Sequence, residues 1–140
     1  MWTYFFYGTL MDPEVAREIL GRPLTGFNPR KGTLAGYRKL YVTGATYPGL
    51  QASSDADANA AGIVVERITA LEVSRLSRYE GREYRTETLP IHLEDGETVE
   101  AKLFLTGNGI RLTNKPWDFG RWQRTDKKRF LRALMRKEVV

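Results

Sequence analysis

The chain has 140 residues, of which 41% are hydrophobic and 28% charged, with a formal net charge of +5 at pH 7. These values fit one globular domain over residues 1–140. The absence of cysteine excludes disulfides, thiolate nucleophiles and Cys-based metal sites, and the single histidine, His92, cannot build a multi-His site. No apolar run is long enough to span a bilayer, and residues 1–7 lack the features of a signal peptide. We therefore expect no membrane association and a cytoplasmic location.

The first predicted unit is a strand, a tight glycine loop and a helix. Residues 2–7 are aromatic and β-prone, and Gly8 interrupts them. Asp12 suits the N-cap of a helix and Pro13 its first position, while Gly21 stands where a C-terminal glycine is expected. The apolar face of this helix is predicted at Val15, Ala16, Ile19 and Leu20.

The middle of the chain predicts two strands and a second helix. Residues 33–42 and 62–68 resemble strands, whereas residues 51–61 are small and polar and predict an exposed loop. Thr69 and Glu72 match a capping box, so a helix is expected from Thr69 to about Tyr79 or Glu80, stopped by Gly81.

The last third predicts a hairpin and a basic helix. Residues 84–93 and 98–106 alternate as two strands joined by an Asp-Gly turn at 94–97, and residues 107–116 look irregular. A final helix is expected at about 125–138, with a buried face of Phe130, Leu131, Leu134 and Met135. Many strands with only three helices indicate an α+β fold with a small mixed, mostly antiparallel, barrel-like sheet.

Glu80 is the first candidate for chemistry. Val73, Leu76 and Glu80 are spaced i, i+3, i+7 and so share one helix face, which directs Glu80 toward the core while Glu72, Arg75 and Arg78 point elsewhere. A carboxyl in such a place favours its neutral form and suits a general acid/base. The alternative is a helix-end glutamate that turns to solvent or pairs with Arg82 or Arg85.

The loop at residues 7–10, with the sequence YGTL, is the second candidate. A glycine between a strand and a helix lets successive backbone N–H groups form an anion-binding concavity. Such a glycine is also common in an ordinary turn. His92 lies in an alternating stretch and is read as a surface or strand residue without a catalytic role.

The order and spacing of several motifs resemble those of the γ-glutamylcyclotransferase-like superfamily, in its γ-glutamylamine cyclotransferase branch. The matching stretches cover roughly the first hundred residues and are YGTLM at 7–11, GYR at 36–38, YPGL at 47–50, Gly62, YEG at 79–81 and YR at 84–85. The resemblance implies a compact β-barrel flanked by helices, with a small cavity at one end.

The resemblance also implies an activity. The loop would hold the α-carboxylate of a γ-glutamyl group through backbone N–H groups, and Glu80 would be the acid/base. The α-amine would attack the γ-carbonyl, giving 5-oxoproline and a free amine or amino acid, without metal or cofactor. The expected substrate-binding residues are Tyr7, Gly8, Thr9, Leu10, Tyr84 and, as a further wall residue, Tyr47.

Two other functions stay open at this point. The first is a binding module that holds a small carboxylate metabolite without turnover, although such a pocket has no need of an inward acid. The second is nucleic-acid binding through residues 121–137, in a C-terminal segment, 111–140, that holds ten Lys/Arg against three Asp/Glu. Aromatic residues do not interleave with these charges, so a solvated basic helix is favoured. Tyr37 is assigned either to the cavity or to the core, and Arg85 to a structural ion pair.

Overall fold

The computed structural model describes residues 1–81, 84–107 and 109–139, the last three of these by their backbone alone. The strands are β1 Trp2–Phe6, β2 Arg30–Ala35, β3 Tyr37–Val42, β4 Pro48–Ala52, β5 Asn59–Ile68, β6 Tyr84–Leu93, β7 Thr98–Thr106 and β8 Leu112–Pro116. The α-helices are α1 Pro13–Leu20, α2 Ala70–Glu80, α3 Phe119–Thr125 and α4 Lys127–Val139, with short 3₁₀ helices at Thr9–Met11 and Leu24–Phe27.

Five strands close into a barrel in the order β1-β5-β2-β6-β7. Four of its pairings are antiparallel, and β1 closes on β7 in parallel, with Tyr4 opposite Lys102. The predicted hairpin is confirmed as β6 and β7, where Leu93 N donates to Glu97 O at 2.8 Å across the turn. The predicted α+β fold with a mixed, mostly antiparallel barrel is therefore confirmed.

A second sheet of three strands, in the order β4-β3-β8, lies beside the barrel. It corrects three predictions. Residues 33–42 are not one strand, because the chain turns at Gly36, with φ 84°, and passes from β2 of the barrel to β3 of this sheet. Residues 107–116 are not all irregular, because β8 pairs with β3. Residues 51–61 are not one exposed loop either, because Gln51 and Ala52 belong to β4 and Asn59 begins β5, with Ala60 buried. Small alanine side chains fit inside a tight barrel but carry little hydrophobic signal.

The two helices predicted in the first half of the chain are confirmed. The Asp12 carboxylate caps α1 by accepting from Glu14 N and Val15 N, and Gly21 ends it in the left-handed conformation with φ 87°. The capping box of Thr69 and Glu72 begins α2 with both of its hydrogen bonds present.

The C-terminal helical segment differs from its prediction. Thr125 ends the short α3 and does not begin the last helix, which starts at Lys127 after a break at Asp126. Phe130, Leu131 and Leu134 pack against the core as expected. Met135, which was also predicted to be buried, is 50% exposed, because it lies at the edge of the packed face.

Two apolar clusters form the core. One fills the barrel with inward residues of all five strands: Phe5, Leu34, Val64, Ile91 and Leu103 are central to it. The other lies between the barrel and the helices and contains the fully buried Trp122 and Leu76. Within the described residues, none of the helices combines the length and the apolarity that crossing a bilayer requires.

Candidate active site

Glu80 is the last residue of α2, and the sequence on either side of it explains that position. Leu76, one turn earlier, is fully buried and fixes which face of the helix turns inward. Gly81 has φ 86° and ψ 178°, a backbone conformation that is essentially restricted to glycine. The chain therefore leaves the helix directly after Glu80, whose side chain lines a cavity of about 870 Å³.

The Glu80 carboxyl is half-buried, and its environment favours the protonated form. Burial raises its pKa to about 7, because a carboxylate loses hydration there. Within the described part of the chain, no hydrogen bond or ion pair to this carboxyl is found. Arg85, one of the two partners considered above, instead lies 3.6 Å from the Glu87 carboxylate on the exposed face of β6. Arg82, the other, lies outside the described residues.

The loop at residues 7–10 lines the same cavity. Tyr7 is buried, and its hydroxyl donates to the carbonyl of Phe104. A Cβ added at Gly8 would lie 3.2 Å from the ring of Pro48, a tight contact that favours glycine at this position. Pro48 belongs to the YPGL motif, which explains why the two motifs occur together.

Among the described residues, no side chain caps the start of the 3₁₀ helix that follows Gly8. Met11 N donates to Gly8 O and Asp12 N to Thr9 O, both at 3.0 Å. The first N–H groups of a helix have no acceptor inside it, and Gly8 has no side chain to cap them. The segment thus offers backbone donors at the cavity wall, as an anion site requires.

Tyr79 is a cavity residue that the sequence analysis did not select. Its hydroxyl lies 2.7 Å from Thr9 Oγ1, which ties the loop to the end of α2. Its ring meets Phe130 of α4 edge to face, with centroids 6.4 Å apart. Burial raises the pKa of Tyr79, and the Glu80 charge adds to the shift. Its position directly before Glu80 in the YEG motif was the signal that could have identified it.

The structure brings all the predicted site residues to this one cavity. Tyr47, which is 39% exposed, and the half-buried Tyr84 both line it. The pKa of Tyr7 is raised by burial first, and then by the charges of Glu80 and Tyr84, which line the same cavity. Tyr37 does not line the cavity but packs against the barrel interior.

The outer wall of the cavity comes from three helices. It includes Glu18 at the end of α1, Arg75 and Arg78 on α2, and Ala133 and Leu134 on α4. The C-terminal helix was not expected to contribute to the site. Sequence gives no sign of this contribution, because α4 is separated from the loop by more than a hundred residues.

Asp12, which is fully buried, fastens this outer wall to the loop. Its carboxylate accepts from Gln123 Nε2 at 3.1 Å and from Lys127 Nζ at 2.9 Å. Burial by itself favours the neutral acid, yet the hydrogen bonds from Lys127, Gln123 and the Val15 N–H hold the pKa of Asp12 below its usual value. Asp12 is therefore a charged structural tie between α1 and the junction of α3 and α4.

The described residues include no group of three His, Asp or Glu side chains that could hold a metal ion. His92 is exposed, with its Nδ1 3.1 Å from Thr98 Oγ1 on the neighbouring strand. The titratable groups in the cavity wall include the carboxyl groups of Glu18 and Glu80 and several tyrosine hydroxyls.

Comparison with known proteins agrees with this fold. Residues 4–124 match the family model described as gamma-glutamyl cyclotransferase, AIG2-like. AIG2-like protein D of Arabidopsis thaliana is 30% identical over 94% of this chain and 86% of its own length, and AIG2-like protein A is 29% identical over 93% and 77%.

Solved structures give the same result for the fold. A solution structure of the Arabidopsis thaliana protein At5g39720.1 superimposes with a TM-score of 0.70 and 28% identity, over 94% of this chain and 87% of that one. A gamma-glutamyl cyclotransferase shares the fold at a TM-score of 0.60 and 12% identity, over 79% and 69%. The chain therefore belongs to the gamma-glutamyl cyclotransferase, AIG2-like family.

Proposed function

We propose that the protein converts a γ-glutamyl amine or γ-glutamyl amino acid into 5-oxoproline and the free amine or amino acid, with Glu80 as general acid/base. The observation that carries this proposal is the Glu80 carboxyl, whose pKa is about 7, in the cavity that the loop at residues 7–10 also lines. The family membership supports the same reaction class.

The chemistry needs one group that both accepts and donates a proton. The α-ammonium of the substrate has no lone pair, so Glu80 first takes a proton from it. The freed amine attacks the γ-carbonyl carbon, a C–N bond forms, and the bond to the departing nitrogen breaks. Glu80 returns its proton to that nitrogen. The attacking nitrogen must also lose a second proton to become the amide N–H of the ring, and this proton passes to the departing amine, which leaves as an ammonium. The reaction therefore consumes no water and ends with Glu80 as it began. A pKa near the working pH suits both transfers.

Substrate binding has to supply the remaining rate acceleration, by positioning the reacting groups. A five-membered ring closes readily once the γ-glutamyl chain is held bent, because both reacting atoms belong to one molecule. The donors at the start of the 3₁₀ helix would hold the α-carboxylate, and Tyr47 and Tyr84 would close the sides. The outer wall, with Glu18, Arg75 and Arg78, would contact the departing amine or amino acid.

The alternative is a binding module for a small carboxylate metabolite that uses the same cavity without turnover. The free N–H groups of the loop would serve either function. What favours the enzyme is Glu80. A carboxylate that faces the pocket repels a bound carboxylate, so it brings no advantage to a protein that only binds. Proton transfer gives the same group a use.

A substrate screen separates the two functions. Purified protein is incubated with ε-(γ-glutamyl)-lysine, γ-glutamyl dipeptides and small γ-glutamylamines, and 5-oxoproline is measured by mass spectrometry. The proposal predicts product from at least one compound and none from Glu80→Gln, which should still bind it. Binding by the wild-type protein without product across the panel would establish the binding module instead.

A further inference from the structure

Lys39 on β3 contacts the loop at residues 7–10 but does not line the cavity of Glu80. Its Nζ donates to the carbonyl oxygen of Tyr7 at 3.2 Å and to that of Ala61 at 2.8 Å. These two carbonyls stand where β1 separates from β5, after the last pair, Phe6 with Ile63. The ammonium also lies 5.2 Å from the ring centroid of Trp117. Lys39 thus holds the backbone at the point where the strand becomes the loop.

The geometry of one peptide group links Lys39 to the cavity. The Tyr7 carbonyl and the Gly8 N–H belong to the same peptide, which is trans, since no cis bond occurs among the described residues. In a trans peptide the C=O and N–H point in opposite directions. Lys39 lines a second, smaller cavity with Trp117 and Asp118, whereas Tyr7 and Gly8 line the cavity of Glu80. With its oxygen held by Lys39, the peptide turns the Gly8 N–H away from Lys39, and Gly8 is one of the residues that line the cavity of Glu80.

We propose that Lys39 is a positioning residue that aims and strengthens the Gly8 N–H as the donor to the ligand's carboxylate. A cation on the carbonyl oxygen polarises the whole peptide, so that its N–H becomes a stronger donor. This inference rests on the proposed function for the identity of the ligand, but the link between Lys39 and Gly8 is a property of the free protein. Lys39 itself does not touch the substrate.

The charge on Lys39 should be lost in mildly alkaline solution. Burial lowers its pKa to about 8, and the Asp118 carboxylate opposes that shift. Asp118 and Arg38 are the other charged groups at the smaller cavity. Below about pH 8 the ammonium polarises the Tyr7–Gly8 peptide, and above it the neutral amine does so less. Carboxylate affinity should therefore decline as the pH rises through 8.

Two ligands test the proposal by binding. 5-Oxoproline carries the carboxylate, and 2-pyrrolidone is the same ring without it. In calorimetry at pH 7, Lys39→Met should bind 5-oxoproline at least about tenfold more weakly and 2-pyrrolidone as the wild type does. The matched control is Lys102→Met, which removes another strand lysine beside a tryptophan, 5.9 Å from the Trp2 ring and outside the cavity. It should change neither affinity. Unchanged 5-oxoproline binding in Lys39→Met, or equal loss of both ligands, would overturn the proposal.

A second measurement needs no ligand. Carbon-detected NMR follows the Tyr7 carbonyl carbon and the Gly8 nitrogen of the free protein from pH 6.5 to 9.5, roughly the range that brackets the lysine's transition. The protein carries Glu80→Gln, so that the titration of Glu80 does not contribute. Both resonances should move with a midpoint near 8. Resonances that stay still across this range would overturn the link. If the wild-type protein neither binds 5-oxoproline nor forms it, the proposed function fails, and the titration still decides the role of Lys39.

Discussion

The two ends of α2 each carry a glutamate, and the two carboxyl groups have opposite properties. Glu72, in the first turn, is 5% exposed, and its carboxylate accepts from Arg22 Nε at 2.8 Å and Nη2 at 3.0 Å and from Thr69 N at 2.9 Å. Burial alone would raise its pKa, but the hydrogen bonds from Arg22 and Thr69 lower it below its usual value. Glu80, in the last turn, has a pKa raised to about 7 by burial.

The comparison teaches that burial does not decide what a carboxyl group does. A buried carboxylate that accepts two hydrogen bonds from an arginine and one from a backbone N–H remains ionised and stabilises the fold. A carboxyl that faces a cavity, with burial as the cause of its shift, is ready to exchange a proton at neutral pH. We therefore expect Glu72 to be structural and Glu80 to be catalytic, and each of the following changes tests that division.

Glu80→Gln should have the largest effect. The amide keeps the size of the side chain but can neither accept the ammonium proton nor return it, so kcat should fall by about a thousandfold. 5-Oxoproline formation by mass spectrometry measures this. Glu72→Gln is the matched control on the same helix, and its activity per folded molecule should stay within about twofold of the wild type. Similar losses in both variants would contradict the division.

The pH dependence of stability should differ between the two groups. The pKa of Glu80 is about 7 in the folded protein, compared with its ordinary value of 4.5 in the unfolded chain. Between about pH 4.5 and pH 7, the folded state therefore holds a proton on Glu80 that the unfolded state has lost. The free energy of unfolding should therefore fall as pH rises through that window, by on the order of 2–3 kcal/mol.

Urea unfolding at several pH values measures this slope, which Glu80→Gln should remove. The contribution of Glu72 has the opposite sign, because its pKa is lowered. That contribution is complete above pH 4.5 and is lost as the pH falls through the folded-state pKa. A wild-type stability that does not change between pH 5 and 7, while Glu80→Gln behaves identically, would show that Glu80 titrates normally.

Glu72→Gln should destabilise the protein by about 2 kcal/mol, because it removes the charge from a carboxylate that binds Arg22 and Thr69. Urea unfolding at pH 7 compares it with Glu80→Gln, which should not lose stability there. A greater loss in Glu80→Gln than in Glu72→Gln would reverse the assigned roles.

Tyr79→Phe should have the smallest effect. It removes the hydrogen bond to Thr9 that joins the loop to the end of α2, at a cost of about 1 kcal/mol, or about a fivefold rise in KM. kcat should change less, because the hydroxyl positions the loop and does not transfer the proton. Tyr37→Phe, on a tyrosine outside the cavity, is the control and should leave both constants unchanged. A fall in kcat larger than the rise in KM would instead give Tyr79 a part in the chemistry.

Local signals predicted the elements that hold the site. The Asp12 N-cap, the capping box at Thr69 and the glycine at 81 each act on backbone groups within a few residues of their own position. Such short-range signals can be recognised in the sequence. The spacing of Leu76 and Glu80 likewise indicated an inward carboxyl, because the period of a helix is fixed.

Long-range pairings were not visible. The expectation that Glu72 points away from the core was wrong, because its partner Arg22 lies fifty residues earlier and neutralises the cost of its burial. Strand β8 was not predicted because its own residues show no strand pattern. It is a strand because it pairs with β3. Lys39 is polar and lies on a strand, and nothing in sequence shows that its ammonium reaches the Tyr7 carbonyl.

The most direct test is a carbon-13 NMR titration of the glutamate carboxyl groups of the wild-type protein, with Glu72→Gln and Glu80→Gln used to assign the two resonances. The structure predicts that Glu80 titrates with a midpoint near 7, while Glu72 in the same sample titrates below 4.5. A Glu80 midpoint at or below 4.5 would contradict its assignment as the acid/base of ring closure.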